Sequence, residues 1–457
     1  MINQKVRFIP WLVIFTASII CLNTASAANW YVRPSGGGGA GTSWTDAWND
    51  MDGINFSSVS CGDTIWVAGG TYGGTLTLNK NCTNNSRLYI RRARSDAGEC
   101  TGAAGWSAAY TSNINHTGSG SNPAIRVSSG TTANYITVSG RTTAGGGSNG
   151  WHINFSGTGG NADSGMDFQN GATSIVGNTF EYIDIQGAGN VTYPNGGRGV
   201  DLTPYQATCN GNTFSHIKIW DWESGAYGCY CNGTTWEYIT MYNIMAVNWG
   251  QYHPNGIYHC GGENNVTVRY SNFHSESNAC GEGIFSNGGD GWQIYGNVFY
   301  NITDSGAKAI QLRSGNMTNF KLFNNTFDNV SLPLYNSGGT CGSGSETKNN
   351  LLYGTDSFSC GATSNNLTAS SSDIWINRSS HDYHIVGTIG SGYPRNAGTS
   401  LSGYFTSDSS GNTFGSDGAW DIGAYEFVSA DNMNKPTDNT DNTDKPMKPK
   451  NLSIVAP

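Results

Sequence analysis

Between Arg198 and Tyr335 the apolar positions recur at a spacing far too long for one helix or hairpin. An apolar residue follows a glycine or alanine at Val200, Cys229, Ile257, Ile284 and Ile310, with a looser copy at Leu334. A second apolar series keeps step with it: Phe180, Phe214, Ile244, Phe273, Phe299 and Phe327. Asparagine stands two residues before four of these, at Asn178, Asn212, Asn297 and Asn325. Self-similarity at this period means stacked supersecondary units. Runs such as Thr267-Val268-Arg269-Tyr270 and Phe320-Lys321-Leu322-Phe323 alternate with period two, so the units are strands. Further strands are expected near Ile125, Ile136–Val138, Met166–Phe168 and Ile183–Ile185. The pattern predicts an all-β fold, a right-handed parallel β-helix in which equivalent residues stack from coil to coil. Asparagine suits its turns, because it tolerates left-handed backbone angles and its amide can bond its copy in the next coil. An antiparallel sandwich would not explain two apolar series in step.

Composition bounds the partners. Gly accounts for 64 of 457 residues and charged residues for 12%, which excludes a charge-rich disordered chain. The formal charge of −9 argues against nucleic acid, whose phosphates need clustered cations. An acidic ligand would need a local positive site or a bound cation.

The chain divides in three. Residues 1–27 read as a signal peptide: Lys5 and Arg7 precede an apolar run from Phe8 to Leu22, and Ala25-Ser26-Ala27 offers a cleavage site. The run is too short to span a membrane comfortably. Residues 28–428 form the β-helix domain, and Trp44–Phe56 is expected to make a short capping helix over the open first coil. Residues 429–457 are rich in Asn, Asp, Thr, Lys and Pro and read as a linker or disordered tail. The expected location is therefore extracellular or periplasmic, and the expected assembly a monomer. Ten cysteines remain after signal removal, an even number that predicts disulfides. Cys341 with Cys360 is the expected pair; the other partners stay open. No CxxC spacing suggests zinc.

Two segments carry a resemblance. Gly62-Asp63-Thr64-Ile65-Trp66-Val67 with Gly70-Thr71-Tyr72, then Leu88-Tyr89-Ile90-Arg91, resemble the first coils of secreted β-helix proteins of the pectate-lyase-like superfamily. Asp421-Ile422-Gly423-Ala424-Tyr425-Glu426-Phe427 is similar to their closing strand. The resemblance implies the fold over about Asn29 to Phe427. It does not specify an activity, since the scaffold hosts lyases, hydrolases, epimerases and adhesins.

Stacked coils lie about 4.8 Å apart, so positions equally offset from the apolar series converge in one groove. Two before it stand Arg198, Tyr227, Asn255, Glu282 and Lys308; one after it, Asp201, Tyr230, Tyr258, Phe285 and Gln311; three after it, Thr203, Asn232, Cys260, Asn287 and Arg313. Tyr230, Tyr258 and Phe285 would form an aromatic platform for sugar rings, with Gln311 and Asn287 as polar neighbours, or would stack for stability alone. Cleaving a uronic-acid polymer by β-elimination needs a carboxylate neutraliser, a base and a proton donor. Glu282 and Asn255 offer oxygen ligands for Ca²⁺. Lys308 is the candidate base and Arg313 the carboxylate partner, with His253 nearby. The plainer reading is a solvated Glu282–Lys308 ion pair. By strand parity Glu282 and Lys308 share the inward phase, and must lie in the preceding turn to face out.

Gly281-Glu282-Gly283-Ile284 and Ile310-Gln311-Leu312-Arg313-Ser314-Gly315-Asn316 resemble the alginate-lyase and chondroitinase-B-like lyases. That resemblance implies a calcium glutamate at Glu282 and a catalytic arginine at Arg313. It departs at the lysine, whose place holds Asn287, and at a doubled glutamate, single here. The expected function is binding and cleavage of an extracellular, acidic polysaccharide. A glycoside hydrolase using Glu282 with Glu276, Asp290 or Asp201 is the neighbouring alternative, and a non-catalytic adhesin the more distant one.

Overall fold

The computed structural model describes residues 27–429 apart from 36, 157–162, 169–170, 190–196, 205–206, 245–253, 276–281, 304–306 and 359, with only the backbone of Glu282. The signal sequence, the tail after residue 429, His253, Glu276 and Cys280 lie outside the described residues.

The fold is a parallel β-helix. A front sheet stacks Leu76–Thr77, Ile125–Arg126, Ser164–Asp167, Arg198–Leu202, Ser224–Gly228, Asn255–His259, Glu282–Ser286, Lys308–Leu312 and Leu332–Asn336. A narrow second sheet follows it in each coil, running from Lys80–Asn81 to Cys231–Asn232 and resuming at Gly289–Asp290. The third and largest sheet takes two strands from most coils, side by side. Thr179–Gln186 and Thr213–Trp222 cross both of its halves as single strands, bent where Tyr182 and His216 adopt φ of +57° and +53°. A left-handed backbone is costly for a ring-bearing residue. Stacking offsets that cost here: the rings of Tyr182 and His216 lie 4.3 Å apart, and those of His216 and Tyr238 4.5 Å.

The structure shifts one copy of the repeat. Val200 is in register with Ala226, then Ile257, Ile284, Ile310 and Leu334. The segment Ser224-Gly225-Ala226-Tyr227-Gly228-Cys229 contains two glycine–apolar pairs, and the strand uses the first. Cys229 lies at the strand's end, where it bonds Cys260 of the next coil.

The glycine before each apolar residue has a packing cause. A Cβ on Gly199 would lie 2.6 Å from Ile219 Cγ2 and 2.6 Å from the Gly225 carbonyl oxygen. On Gly283 it would lie 3.0 Å from the Phe299 ring. These glycines therefore point at the core, as does the apolar residue after them, so two successive positions face inward and the strand bulges. The alternation is reset. Arg198 and Lys308, two before the apolar column, face outward from within the strand, which corrects the parity argument that required a preceding turn.

The second apolar series is two series. Phe180 and Phe214 continue into Trp236 and Val268 in one half of the large sheet. Phe273, Phe299 and Phe327 follow Met241 in the other half, while Ile244 pairs with Trp222. Each half has its own asparagine ladder. Asn178 Nδ2 donates to Asn212 Oδ1 at 3.2 Å; at the other corner Asn297, Asn325, Asn350 and Asn366 bond in succession at 2.9–3.0 Å. The two corners share one chemistry, which is why a linear reading merges them.

Among the described residues four disulfides link neighbouring coils or turns: Cys61–Cys82, Cys209–Cys231, Cys229–Cys260 and the expected Cys341–Cys360. Cys100 is unpaired and buried, and Cys280 lies outside the described residues. Such crosslinks belong to an oxidising compartment. No helix among the described residues is long and apolar enough to cross a membrane.

Both ends of the large sheet are covered from outside. Trp44 packs against Tyr31, Trp106 and Tyr110, with Met51–Gly53 the one helical turn in the predicted capping helix. At the other end Phe405 stacks on Tyr295 at 4.4 Å and Tyr300 meets His381 and Tyr383. The closing segment holds itself in place through Asp421, which accepts from the Asn396 amide at 2.6 Å, and Glu426, which accepts from Gly415 at 2.7 Å.

Candidate functional site

The front sheet's outer surface carries a polar–aromatic network built by the repeat. Its central column is Asp167, Asp201, Tyr227, Tyr258, Phe285, Gln311 and Tyr335. Tyr230, predicted for this column, is not in it; Tyr227 is, because of the three-residue shift. The rings do not form a flat platform. Tyr227 meets Tyr258 at 4.3 Å and 62°, Tyr258 meets Phe285 at 4.7 Å and 66°, and Phe285 is buried.

Side chains two before the apolar column flank this line. Arg198 lies over the Tyr227 ring at 4.0 Å and pairs with Asp201, whose other oxygen accepts from Thr203 Oγ1 at 2.6 Å. Ser224, not Tyr227, follows Arg198 in this position. Asn255 is 2% exposed, and its Oδ1 has no hydrogen-bond partner. Lys308 stands half-buried with Nζ 5.4 Å from the centre of the Tyr335 ring. The backbone of Glu282 pairs with Asn255.

Three past the column lie Cys229, Cys260, Asn287 and Arg313, joined by their amides to the preceding coils. Cys229 takes the place predicted for Asn232. Asn287 Nδ2 donates to Tyr258 Oη and to the Cys260 carbonyl, both at 3.1 Å. Gln311 Nε2 donates to Ser337 Oγ at 2.7 Å. Arg313 is exposed, with its guanidinium 5.8 Å from the Phe285 ring centre and no ion pair among the described residues. Burial, with the neighbouring Tyr258, raises the Tyr227 phenol well above its usual range.

Of the two expected calcium ligands, Glu282 is described only in its backbone, and Asn255 in full. Asn255 Oδ1 is an orphaned oxygen suited to a cation, but Asp201 is neutralised by Arg198, and Asn287 is engaged by Tyr258 and Cys260. Calcium takes 6–8 oxygens, roughly. The three carboxylates that do converge, Asp417, Asp421 and Glu426, lie in the closing segment, where Arg395 and backbone amides occupy them. Asp290 is exposed and held by Thr318 and Asn319, whose hydrogen bonds lower its pKa.

Sequence reasoning missed the Arg198–Asp201 pair, Asp167 in the coil before it, and Glu223, buried at the start of the next strand. The spacing Arg198-x-x-Asp201 was visible; the bulge that brings both to one face was not. It also missed a buried pair behind the face. His259 accepts from Trp236 Nε1 at 3.2 Å through Nε2, so its proton sits on Nδ1, which faces Glu263 Oε2 at 3.8 Å. Burial lowers His259 to about 3 and raises Glu263, so neither favours its charged form there.

No family model matches the sequence, and no curated protein matches it. Among solved structures, pectate lyase Pel9A superposes with a TM-score of 0.55 over 88% of this chain and 97% of that one, at 15% identity. The complex of XylC with xylose gives 0.48 over 72% and 69%, at 12% identity. The lacto-N-biosidase GH136 from Eubacterium ramulus gives 0.34 over 75% and 67%, at 11%. At 15% identity the likeness to Pel9A is one of fold, the parallel β-helix.

Proposed function

We propose that the front face binds an acidic extracellular polysaccharide and cleaves it by β-elimination. One observation carries the reading: Arg313, in a chain of net charge −9, stands exposed beside Phe285 without an ion-pair partner among the described residues. An arginine left unneutralised on a polar–aromatic face is suited to a ligand carboxylate. Lys308, at the other end of the same strand, reaches the same surface because the bulge turns Ala309 inward, and it is the candidate base. In the reaction Arg313 pairs with the uronate carboxylate and makes the adjacent C–H more acidic. Lys308, as the neutral amine, takes that proton, the bond to the leaving glycosidic oxygen breaks as the double bond forms, and that oxygen takes a proton from the Lys308 ammonium so formed or from water. No step is assigned to calcium. Pectate lyase Pel9A shares the fold.

A hydrolase is the second reading, favoured by a separate observation. Asp167 and Asp201 occupy facing positions in adjacent coils, with Glu223 one coil on. Adjacent strands lie about 4.8 Å apart, close to the roughly 5–5.5 Å separation that retaining hydrolysis uses.

The test is turnover of a panel of polyuronates and neutral glycans, with and without chelator. Elimination yields unsaturated, ultraviolet-absorbing ends; hydrolysis yields reducing ends without them. We expect absorbance on a uronate polymer, and Lys308→Ala and Arg313→Ala each to lower kcat/KM by about 100-fold or more with the melting temperature unchanged. Elimination surviving in both variants would refute the assignment. Hydrolysis abolished by Asp201→Asn would install the second reading, and binding without turnover would make the protein a glycan-binding module.

A further inference from the structure

Tyr230 is the aromatic residue that the fold exposes most among the described residues, at 50%, and its backbone is tied on both sides. Its φ of +64° is left-handed, strained for any residue with a Cβ. Both neighbours are crosslinked: Cys229 to Cys260 in the following coil, Cys231 to Cys209 in the preceding one. Its amide donates at 2.6 Å to Oε1 of Glu263, a carboxylate only 2% exposed. The same oxygen accepts from Gly261 at 2.9 Å. A Cβ on Gly261 would lie 3.1 Å from the Tyr230 ring, so the ring rests on bare backbone.

The position in the helix gives this rigidity a direction. Cys229, Cys260, Asn287 and Arg313 stack in successive coils, so the residues after them stack too: Tyr230, Gly261, Gly288 and Ser314. Beyond Tyr230 this column carries glycine for two coils, Gly261 under the Tyr230 ring and then the buried Gly288, with Asn287 and the exposed Arg313 beside it. Tyr230 stands at its end, three coils from Arg313, or about 14 Å at the spacing of stacked strands.

We infer that Tyr230 is a fixed stacking platform for the apolar face of a sugar ring, several units along the chain from the sugar held at Arg313. This rests on the polysaccharide reading above and adds to it a remote subsite. A preformed aromatic surface loses little freedom on binding, which is what two disulfides and a buried carboxylate around one exposed residue provide.

Tyr230→Gly separates this role from a structural one. Glycine adopts the left-handed backbone without strain, so the variant should melt at the wild-type temperature or above it. Tyr230→Trp should bind as wild type, which shows that the ring matters and the hydroxyl does not. Affinity for a uronate oligomer series, measured by calorimetry, should fall about tenfold in Tyr230→Gly. The loss should be greatest for oligomers long enough to reach from Arg313 and should appear in KM rather than kcat. If wild-type protein binds no oligomer of any length, the polysaccharide reading falls and this inference with it. If binding depends on Arg313 but long oligomers bind Tyr230→Gly at full strength, the inference alone falls. A lowered melting temperature in Tyr230→Gly would assign Tyr230 to the fold and overturn it as well.

Discussion

Glu263 does its work by being buried. One of its oxygens receives two backbone amides, Tyr230 and Gly261, across the corner that the Cys229–Cys260 disulfide also joins. Truncation to alanine would strand both donors, each costing about 1–3 kcal/mol when left unpaired in the interior. Glu263→Ala should therefore unfold at distinctly lower denaturant than wild type. Glu263→Gln keeps an acceptor oxygen and loses only the charge that burial already disfavours, so it should lose much less. Equal midpoints for the alanine variant and wild type would show that water replaces the carboxylate at this corner.

At the scale of elements, the asparagine ladders hold coil to coil. Asn325 donates to Ile294 and Phe323 carbonyls and to Asn350, and accepts both the amide and the side chain of Asn297. All of this is fully buried. Asn325→Ala should destabilise the protein by about 2–5 kcal/mol, because a set of backbone groups loses its partners together. Asn366, half-buried at the ladder's end, should cost less when replaced in the same way. Urea denaturation of the two variants compares them directly, and a smaller loss at Asn325 would contradict the ladder as the stabilising element. Asparagine's recurrence two residues before an aromatic was legible in the sequence. That it marks two corners was not, since both use the same residue for the same turn.

The whole molecule carries two opposing pH dependences. In the closing segment burial raises Asp421 and Glu426 above the ordinary carboxyl range, with the charge of Asp417 adding to both and that of Asp421 to Glu426. Their folded forms bind protons more tightly than the unfolded chain, so the stability they contribute is complete in acid and is lost as pH rises through the raised values. In the core, burial lowers His116 to about 4 and His259 to about 3 from 6.5. Their contribution is complete above 6.5 and is lost as pH falls towards those values. Between 6.5 and 8 only the carboxyl limb should slope, and melting temperature should decline as pH rises. Glu426→Gln should flatten that decline. A Glu426→Gln profile parallel to wild type from 6.5 to 8 would remove the closing segment from the pH response.

The sequence by itself determined that coils stack: glycine–apolar pairs, alternating runs and recurrent asparagines are local signals, and each coil repeats them. The strands at Ile125, Met166 and Ile183 and the Cys341–Cys360 bond were legible for the same reason. Register and facing were decided only in three dimensions. Whether Gly225-Ala226 or Gly228-Cys229 joins the front column depends on packing against Met241 and on the disulfide from Cys229, contacts that link different strands or coils. The same is true of the face. A bulge that turns Gly199 and Val200 both inward brings Arg198 beside Asp201 and Tyr227, and alternation counted along one strand cannot foresee it. Candidate cations could be read from the chain; which of them is neutralised, Arg198, and which is left for a ligand, Arg313, follows from neighbours that only the coiled chain supplies.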